Sequence, residues 1–337
     1  MRANVWRSWL PGTALAAVIA LAATFVSALH GGPQLLYTLL SGVAFHYLSQ
    51  EPRTRPGIEF CARTVLRLGV GLLGARITAA QIATLGWATA LTVVAGVVTT
   101  LLSGLLLARR LGMSRAQGVL SGGAVAICGA SAALAISAVL PREKDSERFT
   151  LMVVVTVTVM STVAMILYPL LVRALALPPA LAGLFLGGTI HDVAQVVGAG
   201  YTLDPQTGDI ATIVKLFRIA MLALVVVVVA AAFKRSRERA HAEQAGDQVA
   251  AKQPLVPWFL WLFVAMVVFN SAGLFAPAVQ DGLNLLSRGC LAVAIAALGV
   301  KTSFMQLARA GWRPVLLILL ETLWLAALVL VAVLWWR

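Results

Sequence analysis

His191, Asp192 and Gln195 stand in the middle of residues 178–200, PPALAGLFLGGTIHDVAQVVGAG, a stretch otherwise apolar enough to cross a bilayer. Ionisable groups at that depth are costly and mark transport paths or proton relays. In a regular helix His191 and Gln195, four apart, share a face, and Asp192 lies about 100° round from His191. His191 and Gln195 then donate hydrogen bonds to a substrate, while Asp192 orients a cation or carries a proton. The competing reading is that all three bond to neighbouring helices and hold a bundle together.

Two other segments carry matching chemistry. Residues 121–131, SGGAVAICGAS, place Gly122, Gly123, Gly129, Ser121 and Ser131 around Cys128 in one apolar run. Glycine and serine weaken a helix, and a helix interrupted at mid-membrane offers free N–H groups and a positive dipole end to an anion. Close helix packing through small residues is the alternative. Lys215 and Arg218, three apart in ATIVKLFRIAML, present two cations on one helix face. Facing inward they neutralise a doubly charged anion or pair with Asp192; facing outward they snorkel to headgroups. Arg63, Arg67, Arg288 and Glu321 are weaker candidates, read as interfacial or structural.

The elements that must position these groups follow from composition. Hydrophobic residues make up 60% of the chain and charged residues 12%, too little polar surface for a water-soluble domain. The fold class is therefore an all-α membrane protein. The excess of 26 Lys and Arg over 13 Asp and Glu is assigned to cytoplasmic loops, so no nucleic-acid partner is inferred. Cys61, Cys128 and Cys290 are odd in number and far apart, which offers neither a disulfide framework nor a metal site. No GxxxxGK[ST] or HExxH motif is present, so ATP-driven pumping and metalloprotease chemistry lack support. No enzyme activity, cofactor or metal is expected. A Cys128/His191/Asp192 nucleophilic site needs proximity that spacing alone does not supply.

About eleven transmembrane helices fit, near 9–29, 33–49, 59–76, 85–108, 115–139, 149–173, 178–200, 209–233, 257–275, 282–300 and 312–335. The first is read as a retained helix rather than a signal peptide. Lys and Arg gather in alternate loops, including Arg53/Arg55, Arg109/Arg110/Arg115 and the 234–253 insert. That puts the N-terminus in the cytoplasm and the C-terminus in the periplasm of a bacterial inner membrane.

An echo supplies a domain plan. Pro33/Pro178, Leu36/Leu181, Leu39/Leu184, Gly42/Gly187, His46/His191 and Gln50/Gln195 keep a constant spacing of 145 residues. It divides the chain into an N-terminal helix (1–32), a first five-helix repeat (33–173) and a second, inverted one (178–337) with a cytoplasmic loop at 234–256. On this plan the fifth helix corresponds to the tenth, where Gly289 and Gly299 give a weaker break. A rival match, Leu73–Thr78 with Leu298–Ser303, has a spacing of 225 residues and cannot hold together with the first.

Taken together, SGGAVAICGASAALA (121–135), GGTIHDVAQVVGAG (187–200) and KLFR (215–218) resemble the YeiH-type family of bacterial inner-membrane proteins, which carries the label sulfate exporter. The likeness extends through RLGVGLLGARIT (67–78). It implies a bundle of ten or eleven helices related to the bile-acid symporter and sodium–proton antiporter fold, with crossed, unwound helices at its centre. The 234–253 insert and Thr189 are not features carried over from that family. The leading reading is a secondary transporter, an exporter of a small anion such as sulfate, sulfite or a sulfonate, working by alternating access. Its substrate-binding residues are Ser121, Gly122, Gly123, Cys128, Gly129, Ser131, His191, Asp192, Gln195, Lys215 and Arg218. The alternatives are a sodium- or proton-coupled carrier of an organic acid, and a non-transporting membrane receptor or scaffold using the 234–253 loop. The partners expected are the anion and the lipid bilayer, with assembly into a homo-oligomer left open.

Overall fold

A computed structural model describes residues 3–30, 34–83, 86–141, 146–234, 258–302 and 311–337. Residues 31–33, 142–145, 235–257 and 303–310 lie outside the described residues, and with them Pro33 and Ser303 of the sequence echoes and nearly all of the 234–253 insert. Within them the chain is helical: α1 (Ala3–His30), α2 (Gln34–Ala44), α3 (Arg55–Phe60), α4 (Leu66–Leu72), α5 (Ala79–Ala83), α6 (Gly86–Arg110), α7 (Arg115–Ala126), α8 (Ala130–Ser137) and α9 (Ser146–Ala174) come first. They are followed by α10 (Pro179–Thr189), α11 (Val193–Leu203), α12 (Pro205–Ala232), α13 (Trp258–Ser271), α14 (Pro277–Lys301) and α15 (Trp312–Trp335). Among the described residues α1, α6, α9, α12, α14 and α15 contain the six stretches long and apolar enough to cross a membrane. Helical structure lies in each of the eleven expected segments, but several are short, and 115–139 and 178–200, expected to cross, each fold back as a helical hairpin.

Local chemistry accounts for the boundaries. Pro179, Pro205 and Pro277 open α10, α12 and α14, where a missing N–H costs nothing. Asp204 caps α12 by accepting from the Thr207 N–H at 2.8 Å, and Ser114 and Gln117 form a reciprocal capping box at the start of α7. Leu21, Leu106, Leu285 and Val331 are all more than 60% exposed on long apolar helices, as lipid-facing side chains would be.

The helices form two bundles. One joins α1–α5 to α13 and α14; the other joins α6–α12 to α15; α11 touches α2 and α14 across the seam. Glycines permit a close crossing of α6 and α7 in the second bundle. A Cβ on Gly104 of α6 would lie 2.5 Å from the Gly118 carbonyl oxygen of α7, and one on Gly118 2.6 Å from that of Gly104. Each bundle draws on both sides of the proposed repeat boundary at 173–178.

Trp87 at the start of α6 packs edge-on against Trp336 beyond α15, with centroids 5.7 Å apart. Arg76 Nε donates to Asp209 Oδ2 at 3.2 Å, joining the two bundles at one end. At the other end Ser49, Gln50, Arg55, Ile58, Glu59 and Lys301 line an open cavity of about 240 Å³.

At the 145-residue spacing one pair of helices matches in length, while the break expected in the tenth helix is absent. α2 and α10 are each 11 residues long, in register at the 145-residue spacing, and end two residues before His46 and His191 respectively. The tenth helix, by contrast, is the unbroken α14, 25 residues from Pro277 to Lys301, with Gly289 and Gly299 inside it. Gly299 serves a close approach: a Cβ there would lie 2.4 Å from the Leu39 carbonyl oxygen. The second interrupted helix is the seventh. Both fold back on themselves: Cβ atoms on Gly183 of α10 and Gly200 of α11 would both meet Ala211 of α12, at 3.1 and 3.4 Å, and a Cβ on Gly123 of α7 would meet Ile136 of α8. Arg173 at the end of α9 reaches the Thr202 carbonyl oxygen at the end of α11, so α7–α8 and α10–α11 are re-entrant hairpins that, with α9 crossing between them, enter from opposite faces.

Candidate functional site

The fifth helix does not unwind across Ser121–Ser131 as expected. α7 stays helical through Gly122 and Gly123 to Ala126, and only Ile127–Gly129 separate it from α8. Buried small residues there permit contact with neighbours rather than unwinding: a Cβ on Gly122 would lie 3.0 Å from the Thr100 carbonyl oxygen, and one on Gly123 would clash with the Ile136 side chain. The turn is made at Gly129, whose φ of +64° is readily adopted only by glycine. A Cβ at that position would be 3.5 Å from the His191 Cβ. This contact brings the break in the fifth helix against the break in the seventh, where Ile190, His191 and Asp192 separate α10 from α11.

An interrupted helix leaves carbonyls without amide partners at the end of its first half. Lys215 and Arg218 of α12, 0% and 1% exposed, supply the donors. Lys215 Nζ donates to the carbonyl oxygens of Ile127 at 2.6 Å and Ile190 at 2.9 Å, so one ammonium ties both breaks. Arg218 Nε donates to Ala126, Nη1 to Gly187 and Ile190, and Nη2 to Val125 and Ala126, at 2.8–3.2 Å. All five guanidinium N–H groups are thereby bound. Two cations also oppose the negative dipole ends of α7 and α10. Lys215 retains one N–H beyond its two carbonyls.

The second halves differ in how they begin. Asp192 caps α11, its Oδ1 accepting from the Ala194 N–H at 2.9 Å, while its own N–H donates to Ser161 Oγ on α9. The carboxylate expected to relay protons therefore serves a helix N-terminus. α8 has no side-chain cap from Gly129, and its first-turn N–H groups at Ala130 and Ser131 have no carbonyl to reach within the helix.

His191 and Gln195 do not share a helix face, because the interruption falls between them. His191 lies in the break and is fully buried. Its Nδ1 is 3.2 Å from the Val125 carbonyl oxygen, which only accepts, so Nδ1 carries the proton; in the neutral ring Nε2 accepts from Thr322 Oγ1 at 3.1 Å. Gln195 in α11 turns to α9, where Nε2 donates to Thr162 Oγ1 at 2.7 Å. Its buried Oε1 has no partner among the described residues. Thr162 also lies 3.5 Å from Thr302 Oγ1, next to Lys301 of the open cavity. A line of polar groups thus runs from that cavity towards the breaks.

Of the eleven expected residues, Cys128, Gly129, His191, Asp192, Lys215 and Arg218 converge at the two breaks. Ser121, Gly122 and Gly123 lie earlier in α7 against α6, α8 and α15, and Ser131 is exposed on α8. Sequence reading missed Ser161, Thr162, Thr302 and Thr322; the hydroxyl-rich run TVTVMST at 156–162 was the available signal.

The family described as "Conserved hypothetical protein 698" matches residues 11–318. A UPF0324 membrane protein of Chlorobaculum tepidum is 46% identical over 97% of this chain and 90% of its own length. The UPF0324 membrane protein TauZ of Paracoccus pantotrophus is 48% identical over 95% and 93%, and one from Rhizobium meliloti is 45% identical over 95% and 91%. No solved structure matches the chain. The chain belongs to the UPF0324 family of membrane proteins, the YeiH-type family that its motifs resemble.

Proposed function

We propose that the protein is a secondary transporter of a small anion, of the sulfate, sulfite or sulfonate class, that works by alternating access. The observation that carries this reading is the meeting, tip to tip, of two helical hairpins, α7–α8 and α10–α11, whose first arms are held by Lys215 and Arg218. Discontinuous helices at membrane depth are how carriers expose backbone groups to a substrate. The charge balance selects an anion. Both negative half-helix ends are already neutralised, Asp192 occupies the start of α11, and the uncapped start of α8 remains with the third Lys215 N–H nearby through Ile127.

Within this reading Arg218 holds the backbone, Lys215 both holds it and supplies countercharge, and Ser131 and the Gln195 Oε1 present polar atoms with no partner among the described residues. The two bundles are the parts that move against each other, with Arg76–Asp209 closing the seam at one end while the cavity beside Lys301 opens the other. Export as the direction, and the cytoplasmic N-terminus, follow from the family resemblance and the distribution of Lys and Arg.

The test is uptake of labelled sulfate, sulfite and short sulfonates into proteoliposomes. The wild type is expected to move at least one of them and Lys215→Ala to lose that transport. No transport of any of them by wild-type protein, or transport unchanged in Lys215→Ala, overturns the reading.

A further inference from the structure

Glu321 lies in α15 with no exposed surface. Its Oε1 is 2.7 Å from Ser121 Oγ on α7, and its Oε2 is buried with no hydrogen-bond partner among the described residues. A Cβ on Gly104 of α6 would lie 2.7 Å from Oε1, so α6 closes that side. The ionisable groups on the elements packed against α15 lie mainly near helix ends: Arg109 and Arg110 on α6, Arg115 on α7, Glu147, Arg148, Tyr168 and Arg173 on α9, and none on α10. Apart from Glu147, whose side chain lies outside the described residues, none of them pairs with Glu321. His191 approaches through Thr322, the next residue of α15.

The hydroxyl of Ser121 has a single proton but two acceptors, Glu321 Oε1 and the Gly118 carbonyl oxygen at 3.3 Å. If the carboxyl is ionised, Ser121 donates to Oε1, and Oε2 carries negative charge, fully buried, with no donor among the described residues. That arrangement is expensive. If Oε1 carries a proton, it donates to Ser121 Oγ, and the hydroxyl proton turns to Gly118. Every hydrogen then has an acceptor and no charge is buried.

We propose that Glu321 is a proton-binding site of the carrier. It takes a proton from water at one face and holds it in the conformation seen here. It releases that proton when α7 shifts against α6 and α15 and water reaches Oε2, so that a proton is the ion coupled to anion movement. The proposal rests on the transport reading, which left the coupling ion open.

Two measurements separate the two claims. Infrared difference spectra of purified wild type against Glu321→Gln should contain the carbonyl stretch of one protonated carboxylic acid, with the small shift in deuterated buffer that such a group shows. In proteoliposomes a pH gradient should drive anion accumulation by the wild type. Glu321→Gln should lose that accumulation yet retain anion exchange at equal pH. Absence of the infrared band, or gradient-driven accumulation unchanged in Glu321→Gln, overturns the proposal while leaving transport itself standing. Wild-type protein that moves no anion but shows the band keeps the proton site and sinks the transport reading. Should Glu321→Gln fail to fold, Ser121→Ala keeps the carboxyl but removes its partner: a shifted carbonyl band relative to wild type supports the proposal, and an unshifted one overturns it.

Discussion

Replacing Arg218 tests whether the cations are structural members of the two breaks or free ligands for an anion. Five N–H groups reach four carbonyls, of which Val125 also accepts from His191 and Ile190 also accepts from Lys215. In Arg218→Met the carbonyls of Ala126 and Gly187 therefore lose their side-chain donor outright. At about 1–3 kcal/mol for each buried group left unsatisfied, the loss is roughly 2–6 kcal/mol, partly offset because a guanidinium no longer has to be desolvated. Arg218→Lys keeps the charge but places three N–H groups on one atom, so it should fall between wild type and Arg218→Met. Thermal unfolding in detergent, followed by tryptophan fluorescence without added anion, checks the order. At roughly 2 °C per kcal/mol the methionine variant should melt roughly 4–12 °C lower. An Arg218→Met protein that melts with the wild type and loses only its stabilisation by anions would refute the capping argument and make Arg218 a ligand.

Other residues give independent expectations. Gly129→Ala forces a side chain into φ of +64° beside His191 and should destabilise by about 1–2 kcal/mol, read from the same melts. Asp192→Asn keeps an N-cap acceptor and should leave folding within about 0.5 kcal/mol, whereas Asp192→Ala should cost about 0.5–2 kcal/mol; equal losses in both would make the charge, not the cap, its contribution. Arg76→Ala removes a partly exposed pair and should change stability by no more than about 1 kcal/mol. If that pair closes the seam, the variant will still show faster labelling of a cysteine placed at Tyr201.

The two interruptions were legible to different degrees. Residues 178–200 stood out because an ionisable pair sits inside an apolar run, and the 145-residue echo set their register against α2, but a regular helix was expected there and the turn at Ile190–Asp192 was not. The Ser121–Ser131 segment was recognised by its glycines, but glycine in a helix serves two ends. Gly122 and Gly123 turned out to admit neighbouring helices, and only Gly129 takes a positive φ. Gly289 and Gly299 misled for the same reason, since α14 uses Gly299 to approach α2 without breaking. Lys215 and Arg218 were readable as inward cations, but their partners are backbone carbonyls, and no side-chain pattern announces those. Glu321 looked interfacial in a tryptophan-flanked helix; its burial comes from Gly104 and Gly118, more than 200 residues earlier in the chain.

The account stands on the breaks being reached by water and substrate from alternate faces of the membrane. The direct measurement is thiol labelling of Ser131→Cys in a Cys290→Ser background, where Cys61 and Cys128 are buried and the parent with Ser131 intact is the control. A membrane-impermeant reagent added to sealed vesicles of either orientation should modify the new cysteine from both faces, and a transported anion should slow both reactions. Modification from one face alone, or from neither, contradicts alternating access through this centre.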